Sequence, residues 1–269
     1  MSGNEAFVLR QGRGWGRGMD NFLRSELAGW FGTRTWLTQL LIWGGIIDGI
    51  LVMTMLSMSR AGETEGALTT GALLYTLFTG MFAAVGVIII MQDAIVGEKQ
   101  TGTAAWVLSK PVSRTAFVVT KLTGNLAGIL AMIILAPGLI AYVLLSQIGA
   151  GEWLPFLPFL AAMGCLAVAL IFFETLTLML GTLFNNRGAV IGLGLAFLFG
   201  QQFLIQLVPA LYEMLPAGIY LPMGGSETTL ASALILGQPL PSFAPVIWCT
   251  AFSILFTAVG IWKFSKTEF

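Results

Sequence analysis

Four polar side chains interrupt the long apolar runs of this sequence and are the first candidates for chemistry. Asp48 and Glu174 each lie near the middle of an apolar run, and Gln201 and Gln202 stand together in another. A carboxylate at bilayer depth costs about 2.5–3.5 kcal/mol, so each acid is expected to face protein or water. The acids are candidates for contact with a substrate or an ion. The alternative is a protonated or hydrogen-bonded carboxyl group that fixes helix packing.

The two glutamines allow two interpretations as well. Gln201 and Gln202 are candidates to pair with the buried acids or to line the same cavity. Hydrogen bonds between neighbouring helices are the other interpretation.

The residue types exclude several kinds of chemistry. The sequence has no His, which excludes His-based metal sites and Ser–His hydrolysis, and it has no Gly-Lys pair, which excludes a Walker phosphate-binding loop. Cys165 and Cys249 lie in apolar runs and are interpreted as small buried hydrophobic residues. We expect no catalytic, cofactor or metal residues here. Any ATP and Mg²⁺ must then be bound by another chain, and the zero net charge gives no reason to expect nucleic acid.

Composition places the chain in the membrane. It is 57% hydrophobic and only 10% charged, whereas soluble domains carry about 25% charged residues. The fold class predicted is all-α, a polytopic membrane protein forming one transmembrane domain over residues 1–269, with both termini cytoplasmic in a prokaryotic cell (inner) membrane. Six apolar runs are long enough to cross a bilayer, at residues 36–58, 68–91, 115–147, 157–184, 189–207 and 243–264.

Three further segments flank these runs. Residues 1–20 are predicted to be a flexible cytoplasmic lead, and residues 21–35 an amphipathic helix at the interface. Residues 209–242 are apolar but broken by Pro and Gly. We expect short helices on the outer side there, forming either a gate or a packed cap, with Tyr212 and Tyr220 near headgroups.

Positive charge sets the orientation. With six spans, twelve of the thirteen Lys and Arg residues fall on one side and only Arg60 on the other. The positive-inside rule therefore places both termini in the cytoplasm.

Glycine spacing indicates where helices approach closely. Three Gly-xxx-Gly patterns lie in or next to the runs, at Gly45–Gly49, Gly124–Gly128 and Gly188–Gly192. Each is expected to serve packing inside one subunit rather than contact with a second one.

The stretch from Asp93 to Lys121 carries more charge than any other segment between the runs. Thr103 can cap a short helix over residues 104–109, Pro111 ends it, and residues 104–108 are apolar almost all round. A short apolar helix in a cytoplasmic loop needs a surface that buries it. That surface is either a partner protein or the chain's own interfacial elbow.

This stretch resembles the loop between spans two and three of the type-2, exporter-type permeases of ATP-binding-cassette (ABC) transporters. The block GEKQTGTAAWVLSKPVSRTAFVVTKL contains the family pattern, with Trp106 inside the short helix and Lys99–Gln100 as a departure from it. The matching positions are Glu98, Gly102, Thr103, Leu108, Pro111, Val112, Ser113, Arg114 and Lys121.

The resemblance implies a function and partners. In that family the loop carries a coupling helix that docks on a separate ATPase subunit, and two permease subunits, identical or related, work with two ATPase subunits. It further implies that Glu26–Arg34 corresponds to the connecting helix and that the first and fifth spans line the subunit interface. Export of a lipid-like, drug-like or peptide compound is expected. A channel or an intramembrane enzyme without an ATPase is the alternative.

Overall fold

The computed structural model describes residue 16 and residues 18–62, 66–109, 112–222 and 227–267. The predicted all-α polytopic fold is confirmed, because the described residues form six helices long and apolar enough to cross a membrane. The predicted lead over residues 1–20 lies almost wholly outside the described residues. The spans, numbered first to sixth, are Thr35–Ala61, Ala67–Gln100, Arg114–Ala150, Phe156–Leu183, Arg187–Leu207 and Ala244–Ser265.

The N-terminal helix covers Met19–Phe31, a shift from the predicted 21–35. It begins after Gly18, whose φ of 78° is unfavourable for other residues, and ends at Gly32. Residues 33 and 34 then form a short connection, in which the Thr33 hydroxyl donates to the Gly29 carbonyl. The first span therefore begins immediately behind this helix.

The second span is longer than predicted. It continues from residue 91 through Gln100, so that part of the predicted 93–121 loop is helical. Ile95 and Val96 are fully buried in this extension, and packing of these two residues keeps the helix intact beyond the hydrocarbon core. The true connection to the third span is residues 101–113, in which Ser113 caps the third span by accepting from the Ala116 N–H at 3.0 Å.

Four wide π-helical turns interrupt the first three spans. They lie at Gly44–Asp48, Phe78–Phe82, Leu130–Leu135 and Leu145–Ala150. Such turns are frequent at functional sites because they redirect the side chains next to them. Asp48 is the last residue of the first of these turns.

The fourth span is the centre of the bundle. It is apolar all round and buries residues on every face, as expected for a helix surrounded by others. Phe172 stacks on Phe197 of the fifth span at 5.5 Å and meets Phe256 of the sixth edge-on at 5.3 Å. The first, fifth and sixth spans are the least buried.

Residues 209–222 and 227–242, which we call the cap, pack at the end of the bundle opposite the N-terminal helix. Three short helices occupy the segment, at Pro209–Glu213, Ala217–Tyr220 and Leu230–Leu236. The expectation that Tyr220 lies near headgroups is wrong, because its ring is fully buried against Gly80 of the second span. Burial raises the pKa of Tyr220. A nonpolar environment of this kind favours its neutral hydroxyl.

The glycine patterns have different surroundings. A Cβ on Gly128 would overlap the ring of Trp30, and one on Gly124 would lie 2.6 Å from the Cβ of Glu26, so this pair receives the N-terminal helix. A Cβ added to Gly45 or Gly49 would meet no atom within 4 Å. Close packing within the chain is therefore observed for Gly124–Gly128 and not for Gly45–Gly49.

We predict that Gly128→Ala destabilises the protein by about 1–3 kcal/mol, because the Trp30 ring must move to admit the methyl group. Gly164→Ala is the matched control, since its Cβ meets no atom within 4 Å and alanine favours helix by about 1 kcal/mol. Thermal unfolding of the two purified variants in detergent measures the difference. Equal melting temperatures would contradict the packing described.

Candidate functional site

A buried lysine joins three elements at the end of the bundle where the N-terminal helix lies, which we call the basic end. Lys121 Nζ of the third span lies 2.6 Å from Glu98 Oε1 of the second span and 2.9 Å from Glu26 Oε1 of the N-terminal helix. The Lys121 side chain is 9% exposed. Breaking such a pair leaves a buried charge uncompensated, which is strongly destabilising.

Aromatic rings surround this ion triad. Lys121 Nζ lies 5.5 Å from the Phe22 ring centre and 5.9 Å from that of Phe117. Phe22 stacks on Phe117 at 5.2 Å, and Phe117 stacks on Phe264 of the sixth span at 5.1 Å. The rings pack around the ammonium group, while the side chains of Glu26 and Glu98 stay 17% and 20% exposed.

The loop that resembles the permease pattern is also tied to the fourth and sixth spans. Lys99 Nζ donates to the carbonyls of Gly181 and Thr182, both at 2.9 Å, at the end of the fourth span. Arg114 Nη1 donates to the carbonyls of Ser265 and Thr267 at 2.6 and 2.7 Å, at the end of the sixth. These cations satisfy carbonyls that a helix C-terminus leaves unpaired. The departure at Lys99–Gln100 thus has an internal role.

A short helix, Thr103–Leu108, follows the second span and is called the loop helix. Gly102, with φ of 73°, precedes it and accepts from the Trp106 N–H at 3.1 Å. Thr103 is therefore the first helical residue, not the cap that the sequence predicts, and its hydroxyl meets that of Thr101 at 2.8 Å. The helix is apolar but only partly covered, since Ala104 is buried whereas Trp106 is 60% exposed.

Two of the predicted loop positions have no described side chain. Pro111 lies outside the described residues, and the side chain of Leu108 is not described either.

The two intramembrane acids are buried and separate from this cluster. Among the described residues, neither carboxyl oxygen of Asp48 nor of Glu174 has a hydrogen-bond partner. The interpretation that Gln201 and Gln202 pair with these acids is therefore not observed. A buried polar group without a partner is costly. Glu174 is fully buried and Asp48 is 5% exposed, and contact of either acid with a substrate or an ion stays a prediction.

Gln201 and Gln202 bind other groups. Gln201 Nε2 donates to the Tyr220 hydroxyl at 2.8 Å, and its Oε1 accepts from the Ala217 N–H at 3.1 Å. Gln201 therefore links the fifth span to the short helix Ala217–Tyr220, and its amide is satisfied. Gln202 Nε2 lies 3.8 Å from the Met81 sulfur of the second span.

An apolar cavity of about 500 Å³ lies between the first, second and fifth spans, and is called the apolar cavity. Met81 lines it, so the Gln202 contact is at its edge. A cavity of this size accommodates a drug-sized apolar group. Its lining residues are Gln39, Ile42, Trp43, Ile46, Met81, Phe82, Val85, Gly86, Ile89, Ile90 and Phe199.

Sequence reasoning missed two residues, Glu26, which completes the triad, and Asn125, which supports it. Nothing in the sequence pattern gives Glu26 a role of its own or marks Asn125, whose Oδ1 accepts from Trp30 Nε1 at 3.1 Å. A signal was present, because Lys121 stands inside an apolar helix and a buried lysine requires an acid.

Comparison with known proteins settles the family. The sequence profile of a family described as ABC-2 family transporter protein matches residues 33–269. The chain belongs to the ABC-2 family. The resemblance to type-2 ABC permeases is thereby confirmed. Among curated proteins no match is found.

Membership makes this ABC-2 protein a membrane subunit of a transporter. Such a subunit is not itself catalytic, and the family implies an ABC ATPase as its partner. The match begins at residue 33, so it covers all six spans and the loop helix but not the N-terminal helix.

We predict that Lys121→Met in this ABC-2 subunit lowers the free energy of unfolding by about 3–5 kcal/mol, because two carboxylates lose their shared cation. Arg187→Gln is the control. It breaks the ion pair between Arg187 and Asp93, which are 2.7 Å apart and whose side chains are 44% and 52% exposed. Because the pair is exposed, this change should lower the free energy of unfolding by at most about 1 kcal/mol. Denaturant or thermal unfolding in detergent distinguishes the two. A smaller loss for Lys121→Met than for Arg187→Gln would refute the role of the triad.

Proposed function

We propose that this chain is the membrane-spanning subunit of an ATP-driven exporter and that its loop helix is the coupling helix. The observation that carries the proposal is the exposed indole of Trp106 on a short helix at the basic end of an ABC-2 subunit. Large aromatic side chains of this kind are the residues that anchor protein interfaces. ATP and Mg²⁺ are bound in the ATPase subunit.

The contacts of the loop provide a route by which movement of the ATPase subunit reaches the spans. The loop helix joins the second span to the third, Lys99 binds the end of the fourth, and Arg114 binds the end of the sixth. Displacement of the loop helix by the ATPase therefore moves four spans together. Glu98, Arg114 and Lys121 act in this account as transmitting residues inside the chain, and the contact with the ATPase is made by the loop helix.

The charges at the basic end indicate how the chain is oriented in the membrane. We infer that the basic end faces the cytoplasm, since it carries Lys99, Arg114, Arg187 and Lys263. Both termini are then cytoplasmic, and the cap over residues 209–242 lies outside a prokaryotic inner membrane.

The cargo path is assigned to the apolar cavity. It lies between the first, second and fifth spans, and the first and fifth are among the least buried. A second copy of this chain, or a related one, packs against these spans in the assembly we propose, with Gly45 and Gly49 open to it. Two ATPase subunits complete the transporter.

The lining of this cavity favours a lipid-like, drug-like or peptide cargo. Its side chains are aliphatic and aromatic, with one amide at Gln39. Binding sites with mostly apolar walls and few polar groups suit amphiphilic molecules.

The docking role is tested by Trp106→Ala. Reconstituted with its ABC ATPase, this variant should lose permease-dependent stimulation of ATP hydrolysis by about tenfold or more, because an anchor residue of the interface is removed. Trp153→Ala is the matched control, since Trp153 is 63% exposed at the opposite end of the bundle. The measurement compares the stimulation of ATP hydrolysis by both variants with that by the wild type. Normal stimulation by Trp106→Ala would overturn the assignment.

A further inference from the structure

A second cavity meets the apolar cavity at the basic end. It has a volume of about 280 Å³ and lies between the N-terminal helix and the first three spans; we call it the polar cavity. Gln39 and Ile90 line both cavities. The two cavities therefore adjoin at these residues, with polar walls on the side of the N-terminal helix and apolar walls on the other side.

The walls of the polar cavity carry hydrogen-bonding groups and one charge. Ser25, Glu26, Thr35 and Asn125 line it, and among its described lining residues Glu26 alone is ionisable. Asn125 is already committed, because its Nδ2 donates to the Lys121 carbonyl at 2.7 Å and its Oδ1 accepts from Trp30.

The ion triad itself contains more negative than positive groups. One ammonium, that of Lys121, stands between the carboxylates of Glu26 and Glu98. The triad therefore has an excess of one negative charge, and Glu26 exposes it to the polar cavity. The indole of Trp30 lines the same space, and an aromatic ring beside a carboxylate is a setting that recognises an alkylammonium group.

The apolar cavity adjoins the polar cavity at Gln39. Trp43 Nε1 donates to Gln39 Oε1 at 3.0 Å, which fixes the amide at the junction of the two cavities. Beyond Gln39 the walls are Ile42, Ile46, Val85 and Ile89. An alkyl chain attached to an ammonium head in the polar cavity would lie against these side chains.

We propose that the adjoining cavities bind a cationic amphiphile entering from the leaflet at the basic end, with its ammonium group beside Glu26 and its tail in the apolar cavity. This inference rests on the proposed function, since it names the cargo class of the same path. It adds the sign of the headgroup charge and the place where the headgroup enters.

The test uses photo-crosslinking of the full chain in phosphatidylcholine nanodiscs. The probe is a long-chain primary alkylamine with a diazirine near its methyl end, and the comparison probe is the matched primary alcohol. Labelled peptides are quantified by mass spectrometry. We expect the amine to label the first and second spans near Ile46 and Val85 several-fold more than the alcohol does.

Charge variants at the rim of the polar cavity sharpen this test without touching the triad. Ser25 is exposed and lines the cavity. Ser25→Lys should lower amine labelling about fivefold and Ser25→Asp should raise it, while labelling by the alcohol stays constant. Ser265→Lys is the matched control, since Ser265 is exposed at the end of the sixth span and should leave labelling unchanged.

Two outcomes would overturn the proposal. One is equal labelling by amine and alcohol, and the other is an equal effect of Ser25→Lys and Ser265→Lys. The experiment needs no ATPase, so its failure leaves the ATP-driven function standing. Conversely, absence of ATPase stimulation would remove the transporter assignment and leave a labelled binding site in place.

Discussion

The basic end of the structure depends on the burial of one ammonium group between two carboxylates. Lys121 holds the N-terminal helix through Glu26 and the second span through Glu98. Because its side chain is almost completely removed from water, loss of the lysine would leave both acids without their shared cation. The glycines at 124 and 128 allow this arrangement, since they let the N-terminal helix lie directly against the third span. The triad and the buried Trp30 together fix the position of the N-terminal helix.

This constraint divides the subunit into a firmly held part and a more open part. Lys99, Arg114 and the triad fasten the second, third, fourth and sixth spans around the loop helix. The first and fifth spans lie beside the apolar cavity and, like the sixth, bury a smaller share of their residues than the second, third and fourth spans do. In the function proposed here this division is useful, because a push on the loop helix would be carried by the fastened spans while the sides of the apolar cavity change their separation.

Much of this architecture follows from the sequence, and the part that does not has a physical reason. Apolar runs and positive charges predict six spans within a few residues, because the bilayer fixes helix length and orientation. They do not predict the extension to Gln100, where buried Ile95 and Val96 prolong the helix. Nor do they predict that Glu98 pairs with Lys121 or that Gln201 holds Tyr220, since those contacts join residues from different helices. Asp48 and Glu174 were found from sequence, and their buried positions agree with it.

The proposed coupling requires that the loop helix and the N-terminal helix move as one unit when ATP binds, because Lys121 ties the N-terminal helix to the spans on either side of the loop helix. Spin labels at Ser25→Cys and Ser109→Cys, with Cys165 and Cys249 replaced by Ala, give the distance between the two helices by pulsed electron paramagnetic resonance in the assembled transporter. The account predicts the same intrasubunit distance with and without ATP, while the distance between the Ser109 positions of the two copies changes. A change in the intrasubunit distance on ATP binding would contradict it.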